Sequence, residues 1–237
     1  MLRDVIFRGR VLESRKLTPS VHGIRVEKPP DFRFRPVQFV GLEIGTEEGP
    51  VEYTMSMASS PTRPHIEFGA RLSASPWKRA FAALSPGDEV EIDGPYGHFV
   101  LDESRPAVLV AGGVGITPLK GMLEYATDRA LALPVTLLYS NRTPEEIAYR
   151  TEIDALAAAN ARARVVHTIS RPSPGDGWKG RTGRIDATLL SQTAKDQPGS
   201  KWYLCGTPSF VGDTFRALRD AGVPAADVLY ERFMGYA

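Results

Sequence analysis

Short runs of alternating apolar and polar residues fill the first hundred positions. Val11 to Leu17, Val21 to Val26, Gln38 to Ile44, His65 to Arg71 and Glu89 to Ile92 each predict a short strand. Pro and Gly punctuate these runs, and closely spaced strands separated by turn signals predict a small antiparallel barrel. One helix interrupts it. In Ser75-Pro76-Trp77-Lys78-Arg79-Ala80-Phe81-Ala82-Ala83-Leu84 a capping residue is followed by Pro at the first helical position and then by helix formers. Ser85-Pro86-Gly87-Asp88 ends it.

From about residue 105 the pattern changes to strand and helix in alternation. Ala107 to Ala111 is a continuous apolar run, followed by glycines and by Pro118 to Ala126 at helical spacing. Val135 to Tyr139 leads into a helix over Pro144 to Ala159, and Val165 to Ile169 is a third strand. Trp202 to Cys205 leads into Ser209 to Ala221 and a final apolar run, Val228 to Tyr230. Such alternation predicts βαβ units and an α/β doubly wound parallel sheet with helices on both faces. The expected architecture is thus two-domain, an N-terminal antiparallel β-barrel over residues 1–101 and a C-terminal α/β domain over 102–237.

Composition narrows the classes of function. With 42% apolar and 24% charged residues the chain is an ordinary globular one, not a disordered or collagen-like one. Lys and Arg number 29 against 28 Asp and Glu, so net charge gives no reason to expect nucleic acid as a partner. Cys205 is the one cysteine, so the chain can build neither an internal disulfide, nor a four-thiolate iron–sulfur cluster, nor a Cys-rich zinc site. Charges break the apolar residues near Met1 before a signal-peptide core forms, and no run reaches the length of a membrane span. A cytoplasmic setting is the expectation.

The sharpest chemical signal is Ala111-Gly112-Gly113-Val114-Gly115-Ile116-Thr117-Pro118, which follows a buried strand and opens a helix. Glycines there permit a tight turn and let backbone N–H groups and the helix dipole meet a pyrophosphate. The spacing is not GxGxxG, and a plain strand-to-helix turn is the alternative. Ser56-Met57-Ala58-Ser59-Ser60-Pro61 is either a solvated turn or a polar site. Arg71-Leu72-Ser73-Ala74-Ser75 offers a guanidinium, hydroxyls and free helix N–H groups, which suit an anionic phosphate; the alternative is a helix cap beside an exposed Arg. Cys205, in Leu204-Cys205-Gly206-Thr207-Pro208, ends a strand on the side where open α/β sheets bind ligands, although a lone Cys can equally be a small inert core residue.

Taken in order, these segments, with Gly94-Pro95-Tyr96-Gly97 and the terminal Glu231-Arg232-Phe233, resemble the ferredoxin–NADP reductase superfamily over nearly the whole chain. The resemblance implies a barrel that holds a flavin and an α/β domain that binds NAD(P)H. It implies that the family's Arg-x-Tyr-Ser motif falls on Tyr53, Thr54, Met55 and Ser56, where only the Ser matches. Ser56 is then expected beside the reactive nitrogen of the flavin, with Met57 and Ala58 adjoining. Met55 replaces the aromatic ring that packs on the flavin, and Tyr53 replaces the phosphate-binding Arg. FAD is the expected cofactor, with FMN as the alternative; Arg71, with the helix cap at Ser75 and Lys78, takes over the phosphate, and Leu72 and Ser73 are expected in the same cofactor-binding segment.

Gly112, Gly113, Gly115, Thr117 and Pro118 match the family's GGxGxTP, with Thr117 expected near the nicotinamide. Cys205 and Gly206 match its CGP-type motif, which puts the thiol beside the carbon that gives up the hydride. Phe233 matches the terminal Glu-x-Phe and is expected to cover the flavin, a place that Tyr236 could fill instead. Ser140, Arg142, Ser170 and Arg171 are expected about the adenosine ribose, with NADH and NADPH both open. The implied activity is that of an NAD(P)H-dependent flavin oxidoreductase. A ferredoxin, a flavodoxin or an oxygenase component is the expected acceptor. A non-catalytic flavin- or nucleotide-binding subunit of a larger complex is the alternative.

Overall fold

The computed structural model describes residues 5–233. Six strands form an antiparallel half-barrel: β1 (Val5–Thr18), β2 (Val21–Glu27), β3 (Phe39–Thr46), β4 (Gly49–Ser56), β5 (His65–Arg71) and β6 (Glu89–Tyr96), in the order β4-β3-β6-β1-β2-β5. Strand β1 carries the curl. Its first half pairs with β6, Val5 to Arg10 against Gly94 to Glu89, and its second half pairs with β2 across two register shifts. Irregularities of this kind bend a strand, so one long strand serves both halves of the sheet. Ile24, Val26, Val40, Leu42, Ile66, Phe68, Val90 and Ile92 point into the enclosed core.

Helix α1 (Pro76–Ala83) plugs that core with Trp77 and Phe81. The expected cap is present: the Ser75 side chain accepts from the Lys78 N–H at 3.4 Å, and Pro76 opens the helix. β1 runs six residues upstream of its predicted start, because Gly9 and Val11 turn inward while Ile6, Arg8 and Arg10 face out. β4 is an edge strand that the list of predicted strands lacks. Val51, Tyr53 and Met55 alternate with Glu52, Thr54 and Ser56, yet of these only Met55 is buried, so the inward face is short.

The second sheet is parallel: β7 (Ala107–Gly112), β8 (Val135–Asn141), β9 (Ala163–Ile169), β10 (Arg181–Thr182), β11 (Lys201–Gly206) and β12 (Val228–Arg232), in the order β10-β9-β8-β7-β11-β12. α2 (Ile116–Asp128) and α3 (Arg150–Ala159) cover one face, α4 (Ala187–Asp196) and α5 (Pro208–Asp220) the other. Strand order reverses between β7 and β11, which opens a crevice at their carboxyl ends. Phe99 and Leu101, in the segment after β6, pack against the core of this sheet.

Two expectations about helices need correction. The helix predicted over Pro144 to Ala159 is broken: a 3₁₀ turn occupies Pro144–Glu146, and α3 starts only at Arg150. Between them Ile147, Ala148 and Tyr149 dive into the core, and Tyr149 takes a left-handed conformation at φ 58° to do so. Burial of an apolar triplet there outweighs helix continuity. α4 and the two-residue β10 were not predicted at all; α4 buries only Leu190 and Thr193, too thin a stripe for periodicity to mark. Among the described residues no helix is long and apolar enough to cross a membrane.

Candidate functional site

Two cavities lie along the seam between the sheets. One, of about 570 Å³, is lined by Tyr53, Met55 and Ser56 of β4, by Gly69 and Arg71 of β5, by Trp77 and Lys78 of α1, by Thr117 of α2, and by Glu231, Arg232 and Phe233 at the end of β12. The other, of about 780 Å³, is lined by Arg71, Leu72, Ser73, Gly112, Gly113, Ser140, Arg142, Ser170, Arg171, Arg184 and Thr207, among others. Arg71, Lys78 and Val114 border both, so the two form one continuous crevice. Its barrel end is walled by rings and a thioether, its far end by arginines and hydroxyls.

The glycine turn after β7 serves two needs. Gly113 sits at φ 54° with open space beside it, a conformation that demands glycine and leaves its backbone bare to the cleft. Gly115 has an ordinary φ of −62°, but a β-carbon there would lie 2.4 Å from the carbonyl oxygen of Cys205. Space alone excludes a side chain at Gly115, and the closeness is what docks the start of α2 on the tip of β11. Thr117 donates to the Val114 carbonyl at 3.1 Å, which holds its methyl toward Gly69 of the barrel. Pro118 occupies the first turn of α2, where its missing N–H has no partner to lose.

Tyr53 of β4 turns onto helix α1. Its ring stacks on Trp77 at 4.7 Å and 23°, and Trp77 stacks on Phe81 at 5.1 Å and 20°. Trp77 itself is anchored by its indole N–H to the Leu42 carbonyl at 3.4 Å. Met57 and Ala58 are fully buried and line neither cavity: Met57 packs in the barrel core and Ala58 against the second sheet. Ser75 caps α1 from just outside the crevice. Cys205 is also fully buried and borders neither cavity, directly beneath Gly115. Burial pushes its thiol well above the usual range, and the neighbouring Glu231 carboxylate adds to this, so the sulfur stays neutral. Tyr236 lies outside the described residues.

Glu231 is the residue that sequence reasoning passed over. It is the sheet neighbour of Cys205 across the β11–β12 pair, and it hydrogen-bonds to Ser56 from the opposite domain. Burial pushes its carboxyl up to about 7, and the Ser56 hydroxyl, which favours the ionised form, only partly offsets this. An acid that holds its proton near neutrality thus stands beside Ser56 inside the crevice. Phe233 is fixed next to it by its own N–H, which donates to the Gly206 carbonyl at 2.9 Å. Trp77 and Arg184 were likewise outside the predicted set. Only the three-residue step Glu231-Arg232-Phe233 hinted at the carboxylate.

These residues fit a flavin and a dinucleotide. The barrel-side cavity offers an apolar slot bounded by Tyr53, Met55 and Phe233, one half-buried hydroxyl–carboxyl pair, and cations at Arg71 and Lys78. The bare Gly113 backbone supplies the concave turn a pyrophosphate needs.

Comparison with known proteins agrees with this geometry. Residues 109–215 match the family described as Oxidoreductase NAD-binding domain. Ferredoxin–NADP reductase B of Sorangium cellulosum is 30% identical, over 98% of this chain and all of that one. The reductase component of propane 2-monooxygenase from Rhodococcus jostii is 29% identical over 98% of this chain, which spans 64% of that longer protein. Among solved structures, a ferredoxin–NADP⁺ reductase from Neisseria gonorrhoeae with bound FAD and NADP shares the fold, with a TM-score of 0.81 at 23% identity over 96% of this chain and 98% of that one. Fold and site define a flavin-dependent oxidoreductase that uses NAD(P)H. More specifically, the chain belongs to the ferredoxin–NADP reductase family.

Proposed function

We propose that this protein takes electrons from NAD(P)H into a bound FAD and passes them to a separate carrier: a ferredoxin, a flavodoxin or an oxygenase component. The flavin-binding part is residues 1–101, the nucleotide-binding part residues 102–237, and the cytoplasm is the expected compartment. The observation that carries this reading is the continuity of the crevice, in which Ser56, Thr117, Glu231 and Phe233 share one cavity that runs past Arg71 into the arginine-lined cleft. When bound, FAD would supply the means to accept two electrons together and release them singly.

The chain's own residues do the rest. Arg71 and Lys78, with the N-terminus of α1, neutralise phosphate charge in place of the Arg that Tyr53 replaces. The Tyr53–Trp77–Phe81 stack and the Met55 thioether give a planar ligand a firm apolar wall. Gly112 and Gly113 receive the pyrophosphate of the nucleotide, while Ser140, Arg142, Ser170, Arg171 and Arg184 surround the adenosine end. Three guanidiniums there favour a nucleotide with a 2′-phosphate. Thr117 shapes the nicotinamide side, Cys205 supports the Gly115 turn from beneath it, Phe233 excludes water, and Glu231 holds or releases a proton through the Ser56 hydroxyl.

Aerobic mixing of the purified protein with NADPH and an artificial dye tests the reading. Dye reduction by the isolated chain is expected. Absence of dye reduction with both NADPH and NADH, in a protein that retains its flavin, would leave only a binding role.

A further inference from the structure

The two halves of the crevice come from different domains, so whatever fixes one domain against the other fixes the distance between them. Strand β5 and helix α2 meet across the seam. A β-carbon at Gly69 would lie 2.9 Å from the Thr117 methyl and 2.7 Å from the Tyr149 hydroxyl, and one at Gly121 would lie 3.1 Å from the Ser59 carbonyl oxygen. Backbone and side chains therefore touch with no slack. In the middle of this contact lies an ion pair: Lys120 Nζ donates to Glu67 Oε2 at 2.6 Å, with side-chain exposures of 2% and 1%.

The pair is locked from every side. Glu67 Oε1 accepts from Arg15 at 3.0 Å and from Arg25 at 3.3 Å. Arg15 continues across the seam to Glu152 of α3 at 2.6 Å, and Lys120 lies 5.1 Å over the Tyr149 ring. Glu124, one turn along α2, accepts from the Ser60 N–H at 2.7 Å. Burial works against ionisation of Glu67, but Lys120 and the two arginines win and hold its carboxyl below the usual range.

A buried ion pair adds little net stability compared with apolar residues of the same shape, because desolvation consumes most of the attraction. Its directional bonds instead specify register. Glu67, Gly69 and Arg71 lie on one face of β5 at steps of two, and Thr117 and Lys120 lie on one face of α2 at a step of three. Setting Glu67 on Lys120 therefore sets Gly69 on Thr117 and places Arg71 at the mouth of the crevice. We propose that the Glu67–Lys120 pair is a positioning element for hydride transfer, fixing how far Thr117 and the nucleotide cleft stand from the barrel-side cavity. This rests on the functional reading above.

The test compares the wild type with Glu67→Gln/Lys120→Met, Lys120→Arg and Glu67→Asp. In the double variant Arg15 keeps Glu13 and Glu152, Arg25 keeps Glu13, and Glu124, which also pairs with Lys120, keeps Arg63, so no buried charge is stranded. Flavin content, melting temperature and the rate of flavin bleaching over a series of NADPH concentrations are measured anaerobically. The double variant is expected to keep its flavin and melt within a few degrees of wild type. Its bleaching rate at saturation should fall by about ten- to a hundredfold, with the half-saturating NADPH concentration changed less than about threefold, since misplacement on the order of 1 Å has that effect on rate. Lys120→Arg, which keeps the pair, should recover most of the rate.

Wild-type bleaching by the double variant, or a melting loss with unchanged bleaching, would overturn the proposal. So would a Lys120→Arg protein as slow as the double variant. Should the double variant shed its flavin, Glu67→Asp carries the test, because the shorter side chain withdraws the carboxylate by one methylene from its 2.6 Å contact with Lys120 while the charges stay the same; full-rate bleaching there would overturn the proposal. A wild type that neither nucleotide bleaches would overturn the functional reading and this proposal with it, whereas bleaching that is equal in all variants overturns this proposal alone.

Discussion

Replacing Glu231 by Gln removes an acid whose native environment opposes its charge, and the consequence for stability follows from that alone. The carboxyl titrates near its ordinary 4.5 in the unfolded chain and at about 7 in the folded one. Below about 4.5 both states are protonated and the group contributes nothing to the pH dependence. Between 4.5 and 7 the folded protein holds a proton that the unfolded chain has lost, so stability falls as pH rises; above about 7 both have lost it and the slope ends. At about 1.4 kcal/mol for each pH unit, that window amounts to at most about 3.5 kcal/mol, and about 2 after allowing for the water that Glu231 still meets. The Gln variant should lack this slope. Urea unfolding of the flavin-loaded protein from pH 4.5 to 8, wild type against variant, reads the difference. The same variant should lose any break near pH 7 in the rate of dye reduction. Identical stability slopes in the two proteins would refute the buried-acid assignment.

Other substitutions probe separate parts of the site. Gly115→Ala forces a methyl against the Cys205 carbonyl oxygen at 2.4 Å, so thermal unfolding should report a loss of about 1–3 kcal/mol, together with weaker nucleotide binding. Arg71→Ala should lower the flavin retained after gel filtration, and unchanged flavin content would remove Arg71 from the phosphate site. Cys205→Ala should slow flavin reduction by NADPH more than it weakens NADPH binding, as stopped-flow bleaching over a range of NADPH concentrations would show. Arg171→Ala should raise KM for NADPH about tenfold while leaving KM for NADH nearly unchanged; equal effects on both would argue against a 2′-phosphate contact.

The legible parts of this protein are those where local chemistry and fold agree. The apolar run of β7, the glycine turn and the helical start at Thr117-Pro118 identify the nucleotide cleft from neighbouring residues, and Ser75-Pro76 marks α1 in the same way. What the sequence hides depends on strands that are distant in the chain. Glu231 acquires its role only because β12 lies beside β11 and faces Ser56 across the seam, and no spacing along the chain expresses that. No spacing along the chain links Glu67 with Lys120, which meet where β5 docks on α2. The break before α3 was hidden for a related reason: Tyr149 leaves the helix for the core of its own domain and carries its hydroxyl across the seam to Gly69 of β5. Tyr53 shows the opposite limit, where the sequence marks a lost phosphate ligand but not the ring stack on Trp77 that stands in its place.

The central claim is that one crevice holds both a flavin and its electron donor. The visible absorbance spectrum of the purified protein, recorded before and after anaerobic addition of NADPH, tests it most directly. The account predicts a yellow protein that releases stoichiometric FAD on denaturation and whose flavin bands bleach when NADPH is added. A colourless protein that fails to take up added flavin would contradict it.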